Sequence, residues 1–120
     1  MTTSITQPHV QVPEGYVFAC ERSAIPARGK KTVHIDDLTL LIIACDSGLY
    51  AIEDRCPQTG GTIAHGEVLD GAITTPTTGA RYCLQTGCYL GGGQSPLQSH
   101  MLRVFALREI TSKVYVRISG

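Results

Sequence analysis

Five cysteines, Cys20, Cys45, Cys56, Cys83 and Cys88, are the side chains of this sequence best suited to metal binding or redox chemistry. Cys83 and Cys88 flank the turn Leu84-Gln85-Thr86-Gly87, so a regular hairpin sets the two thiols opposite each other within reach of a disulfide. Three readings stay open for them: two small half-buried thiols, a redox-sensitive pair, or a zinc site shared with Cys56 for which no fourth ligand is in view. Cys20 and Cys45 sit inside apolar runs and are expected in the core, where cysteine acts as a small hydrophobe. The four histidines are scattered: His9 near the start, His34 in a strand pattern, His65 beside a glycine and His100 in a late loop. Each reads first as a polar surface residue. No nucleophile stands beside a base and no carboxylate pair has a suggestive spacing, so no catalytic residue is assigned. Gly60, Gly61, Gly79 and Gly87 suit tight turns, and without a following Lys and helix they make no phosphate cradle.

The elements around these residues are short. Segments rich in Val, Ile and Tyr, punctuated by Gly, Pro and Asp-Ser-Gly, predict strands at Val17–Cys20, Lys31–Ile35, Leu38–Cys45, Leu49–Glu53, Gly71–Thr75, Ala80–Leu84, Leu102–Leu107 and Lys113–Ile118. Hairpin turns are predicted at Asp46-Ser47-Gly48 and Gln85-Thr86-Gly87, with glycine at the positive-φ position. The alternation Val114-Tyr115-Val116-Arg117-Ile118 predicts one buried and one wet face at the end of an antiparallel sheet. From about residue 53 to 96 Gly, Thr and Pro crowd in, which predicts a loop-rich subdomain on a β base. Residues 1–12 form a polar arm, and 13–120 are expected to be one all-β domain.

Lys plus Arg and Asp plus Glu are 10 each, so net charge supports neither nucleic-acid binding nor long-range steering. The first residues lack a basic stretch leading into an apolar run, and the longest apolar run, Leu38–Cys45, falls far short of the roughly 20 residues of a membrane span. A cytoplasmic protein with free thiols and no membrane association is the expectation.

Several pieces occur in a telling order: Tyr50-Ala51-Ile52-Glu53-Asp54-Arg55-Cys56-Pro57-Gln58-Thr59-Gly60, His65-Gly66-Glu67-Val68, Ile73-Thr74-Thr75-Pro76-Thr77-Thr78-Gly79-Ala80-Arg81-Tyr82, Leu84-Gln85-Thr86-Gly87 and Ser95-Pro96-Leu97. On these the chain resembles the Rieske family from about Val17 to Ile118, specifically the ferredoxins of ring-hydroxylating dioxygenases and the small subunit of nitrite reductase. The resemblance implies a Rieske-like antiparallel β-sandwich with a cluster-binding-type subdomain. In the family one loop gives Cys-x-His and a second Cys-x-x-His, two thiolates on one iron and two imidazoles on the other. Here the first loop reads Cys56-Pro57-Gln58 and the second, 16 residues later, Thr75-Pro76-Thr77-Thr78. Only Cys56 matches, and the site is read as degenerate, with no metal or cofactor held.

What the resemblance then implies is an ancillary or binding subunit that docks on a larger oxidoreductase, oxygenase or reductase component. Gln58, His65 and Thr78, with Thr75, are its expected contacts. Thr59, Thr62, Thr74, Thr75, Thr77 and Thr78 would form a hydrogen-bonded polar tip in place of metal. The alternative is a [2Fe-2S] ferredoxin that feeds electrons to a multicomponent dioxygenase through non-standard ligands.

Overall fold

The computed structural model describes residues 12–76, 78–93 and 101–118. Among these residues ten strands follow in order: β1 (Tyr16–Glu21), β2 (Lys30–Ile35), β3 (Leu38–Cys45), β4 (Gly48–Glu53), β5 (Glu67–Leu69), β6 (Ala72–Thr74), β7 (Arg81–Cys83), β8 (Tyr89–Gly91), β9 (Val104–Ile110) and β10 (Lys113–Arg117). The one helical piece among the described residues is a 3-10 turn at Arg22–Ala24.

All pairings are antiparallel and fall into two sheets. The larger runs β1-β10-β9-β4-β3-β2 and the smaller β5-β6-β7-β8. Strand β3 explains how they combine. Its residues alternate between two cores: Leu40, Ile42 and Ala44 pack with Cys20, Ile25, Val33, Ala51, Val114 and Val116 inside the large sheet, while Leu41 and Ile43 pack with Ile52, Ile63, Ile73, Tyr82, Leu84 and Leu102 beneath the small one. A strand buried on both faces has to be apolar throughout, which is why Leu38–Cys45 reads as one run and not as an alternation. The small sheet is thus seated on β3 and β4 by the same kind of apolar contact that fills the large one.

The turns at Asp46-Ser47-Gly48 and Gln85-Thr86-Gly87 are hairpins as predicted, with Gly48 at φ 136° and Gly87 at φ 82°. Differences from the sequence expectations have physical causes. The sequence expectation has no strand at β5, because three residues are too few to show a period of two, and has β8 only as the far arm of the second hairpin. Strand β10 does bury Val114 and Val116 on one face, yet it lies between β1 and β9 and not at the sheet's end. Cys20 is buried, but Cys45, next to the turn, is half-buried with its sulfur 3.5 Å from the Ser47 hydroxyl. Ser95-Pro96-Leu97, His9 and His100 lie outside the described residues.

Two glycines of similar backbone separate conformational strain from close approach. Gly71 has φ 75° and open space where a Cβ would stand, whereas at Gly87 an added Cβ would collide with the Leu102 carbonyl oxygen. Gly71→Ala is expected to cost about 1 kcal/mol and Gly87→Ala at least about 3 kcal/mol, since the latter must also move backbone. Urea denaturation of the two variants measures the difference; equal losses would mean that the loop at Gly87 yields freely.

Candidate functional site

Two loops meet at one end of the small sheet. The first, residues 56–61, follows β4, and the second, residues 75–80, joins β6 to β7. They close in the same way. The Gly60 N–H donates to the Cys56 carbonyl at 2.8 Å and the Gly79 N–H to the Thr75 carbonyl at 2.9 Å, each an α-turn. The Cys56 N–H donates to the Gly61 carbonyl at 2.7 Å and the Thr75 N–H to the Ala80 carbonyl at 2.8 Å. In each loop the fourth residue is a threonine whose hydroxyl accepts the N–H two residues on, Gly61 to Thr59 at 3.2 Å and Ala80 to Thr78 at 3.3 Å. The fifth is a glycine at φ 80° in both.

A third loop repeats this plan at the other end of β7. The Gly87 N–H donates to the Cys83 carbonyl at 2.7 Å, the Cys83 N–H to the Cys88 carbonyl at 2.9 Å and the Cys88 N–H to the Thr86 hydroxyl at 3.2 Å. The sequence reading missed this equivalence. Its signal is a Thr-Gly step at the fourth and fifth positions of Cys56-Pro57-Gln58-Thr59-Gly60-Gly61, Thr75-Pro76-Thr77-Thr78-Gly79-Ala80 and Cys83-Leu84-Gln85-Thr86-Gly87-Cys88.

Where the first two loops touch, the residues are buried and polar. Cys56 and Thr75 are each 1% exposed, and the Thr75 and Thr78 hydroxyls bond to each other at 2.6 Å. Burial pushes the Cys56 thiol up, but the Thr59 hydroxyl, the N–H groups of Gln58 and Thr59 and the Thr75 hydroxyl outweigh it, and its pKa lies below the ordinary thiol value. Tyr82, fully buried behind the loops, has its phenol pushed up by burial and further by Cys56 and Tyr89. Its hydroxyl and the Gln58 Nε2 are buried with no hydrogen-bond partner among the described residues. Such orphaned atoms are uncommon in a folded interior, and these two lie on the residues that line the junction.

The foot of the first loop is fastened by Asp54. Its carboxylate accepts from the Thr62 hydroxyl at 2.8 and 2.9 Å and from the Ile63 N–H at 2.7 Å.

The structure therefore brings together Cys56, Thr59, Thr75 and Thr78, with Gln58 half-buried beside them. It removes other residues from the expected tip. Thr62 is turned to Asp54, and Thr74 lies in β6 opposite Glu67 and Arg81. The expectation for Thr77 falls outside the described residues. Thr75, expected as a partner contact, is buried and cannot be one. Thr59, Gly60, Gly61, Pro76 and Gly79 are exposed and form the outer skin of the loops, and His65, on the segment that follows the first loop, is exposed as well. His34 is a surface residue whose Nδ1 lies 3.2 Å from the Thr39 hydroxyl. Among the described residues, no group of three or more His, Cys, Asp or Glu is placed to hold a metal ion. No helix among them is long and apolar enough to cross a membrane.

The sequence pattern of the Rieske-like [2Fe-2S] domain family matches residues 15–117. Three solved structures share the fold over 88% of this chain. One is the complex of reduced oxygenase and oxidized ferredoxin in carbazole 1,9a-dioxygenase, 21% identical over 94% of the matched chain with a TM-score of 0.72. Another is the ferredoxin of carbazole 1,9a-dioxygenase from Nocardioides aromaticivorans IC177, 13% identical over 100% of that chain with a TM-score of 0.74. The third is the terminal oxygenase of carbazole 1,9a-dioxygenase from Novosphingobium sp. KA1, 20% identical with a TM-score of 0.75, of which this chain spans 30% of the length. At these identities the likeness is one of fold. No curated protein matches the chain.

Two measurements check the junction. Asp54→Ala removes the acceptor for the Thr62 hydroxyl and the Ile63 N–H and is expected to cost about 1–2 kcal/mol, with Asp54→Asn recovering part of it. Because the folded pKa of Cys56 is lowered, its ionisation contributes stability that is complete above the unfolded thiol pKa, about 8.5, and fades as pH falls through the lower folded value. The stability of wild type relative to Cys56→Ser should therefore rise as pH is raised from about 6 to about 9. A constant difference across that window would show that the hydroxyl and N–H groups do not hold a thiolate.

Proposed function

Because the chain belongs to the Rieske-like [2Fe-2S] domain family, we propose that it keeps the family's loop end as a docking surface while holding no cluster itself, as an ancillary subunit of a larger oxidoreductase or oxygenase component. The observation that carries this reading is the Thr75–Thr78 hydrogen bond of 2.6 Å. A cluster of this type takes two thiolates and two neutral imidazoles. The matching positions hold one thiol, Cys56, one amide, Gln58, and two hydroxyls, Thr75 and Thr78. Hydroxyls stay protonated near neutral pH, and an amide oxygen is a poor substitute for imidazole on iron. These four residues do not fit a [2Fe-2S] cluster, because neither iron would have a complete pair of ligands. The two hydroxyls satisfy each other instead.

Docking is supported by what the loops retain. Their backbone closes through its own hydrogen bonds, and Thr59, Gly60, Gly61, Pro76 and Gly79 are exposed on the same loops as the half-buried Gln58 and Thr78. The partner would be of the kind seen in the solved ferredoxin–oxygenase complex of carbazole 1,9a-dioxygenase, with chemistry supplied by that partner.

The comparisons favour a second reading, a [2Fe-2S] ferredoxin that carries electrons to an oxygenase, since the family is described by its cluster and the solved matches include ferredoxins. That reading needs ligands beyond Cys56. The two diverge in one variant: restoring the set with Gln58→His, Thr75→Cys and Thr78→His should create iron binding and the visible absorption of a cluster where the native loops give none. If the restored protein and the native one bind iron alike, the four positions are not the deciding residues.

The docking claim is tested by capture of a purified terminal oxygenase component on immobilised wild type and on Thr78→Arg, which places a long cation in the loop skin. Wild type is expected to retain the large subunit and the variant to bind it at least about tenfold more weakly. No capture by wild type, or equal capture by both, overturns it.

A further inference from the structure

The third loop shares the backbone plan of the first two but none of the residues at the junction, and its first and last residues are cysteines. Tyr82 and Tyr89 are opposite each other in the β7–β8 register, with rings edge to face at 5.8 Å against the core beneath the small sheet. The next opposed pair is Cys83 and Cys88, joined by the Cys83 N–H to the Cys88 carbonyl. Side chains alternate along a strand, so both thiols fall on the outer face of this hairpin. Residues opposite each other in an antiparallel pair have Cα atoms about 4.5–5.5 Å apart, within the range that disulfides span.

Accessibility singles out the same pair. Cys20 and Cys56 are buried, whereas Cys83 is half-buried and Cys88 exposed. The remaining half-buried thiol, Cys45, belongs to the β3–β4 turn and contacts Ser47. Around the Cys83 sulfur the Thr86 hydroxyl and N–H, then the N–H groups of Gln85 and Gly87, favour the thiolate over slight burial and hold its pKa below the ordinary thiol value. The loop is also a joint: the Leu102 N–H donates to the Gly87 carbonyl at 2.9 Å, where the chain re-enters the large sheet before β9.

We propose that Cys83 and Cys88 form a redox-responsive pair that a low-molecular-weight disulfide of the glutathione class converts to a bridge across the third loop. The Cys83 thiolate attacks one sulfur of that disulfide, whose S–S bond breaks, and the departing thiolate takes a proton from water. Cys88 then gives up its proton and attacks the Cys83 sulfur of the mixed disulfide, and the second small thiol leaves. Two protein thiols are oxidised and one disulfide is reduced to two thiols. The bridge fastens the hairpin at the joint between the sheets, so the oxidised domain differs from the reduced one away from the docking loops. This step needs no metal and stands whether or not the docking reading holds.

The test uses the full chain treated with excess oxidised glutathione at neutral pH, with free thiols counted and peptides mapped by mass spectrometry. Two of the five free thiols should be lost, with a Cys83–Cys88 bridge that dithiothreitol reverses. In Cys88→Ser a glutathione adduct should accumulate on Cys83, and Cys45→Ser should form the bridge in wild-type yield. Retention of all five thiols, a bridge mapped to another pair, or an adduct in Cys88→Ser seated on Cys45 overturns the proposal.

Discussion

The loops of this domain are closed by their own backbone. Each of the three six-residue turns makes an α-turn bond, a second bond from its first N–H to its last carbonyl, and a threonine hydroxyl bond, with a left-handed glycine allowing the reversal. The conformation of each loop is thus held by hydrogen bonds within its own six residues. The third loop makes the point within the same molecule, since it adopts the geometry far from any ligand position. The first two loops keep the same shape with Gln58, Thr75 and Thr78 in the positions where the family pattern has ligands.

Packing makes that shape part of the fold. Cys56, Ala80 and Tyr82 belong to the same buried group as Leu41, Ile43 and Ile52 of the large sheet. Burying these side chains is worth on the order of 1.5–3 kcal/mol for each large aliphatic residue, enough to seat a small sheet of three-residue strands that would not stand alone. Asp54 then fastens the first loop to its own continuation at Thr62 and Ile63. Among the described residues, the Gln58 Nε2 and the Tyr82 hydroxyl are buried without a hydrogen-bond partner.

Much of this was legible in the sequence. The hydrophobic run of β3, the two glycine hairpins and the strand pattern each state a local rule that the fold obeys. What stayed hidden depends on contacts between distant segments. Strands β5 and β8 exist because β6 and β7 offer them edges, not because their residues show a period. Thr75 and Thr78 look alike in sequence, yet one is fully buried and the other half-buried, and Thr62 leaves the tip because Asp54 lies in reach. The opposition of Cys83 and Cys88 was legible from their spacing about a turn, while the N–H groups around the Cys83 sulfur required the turn itself.

The central claim is that a domain of this family stands folded on hydroxyl and amide groups where iron ligands would be. Its most direct measurement is the iron and acid-labile sulfide content of the native chain, produced and purified without air in iron-replete cells. The account predicts colourless, folded protein with neither element above background. About two irons and two sulfides per chain, as a [2Fe-2S] centre requires, would contradict it.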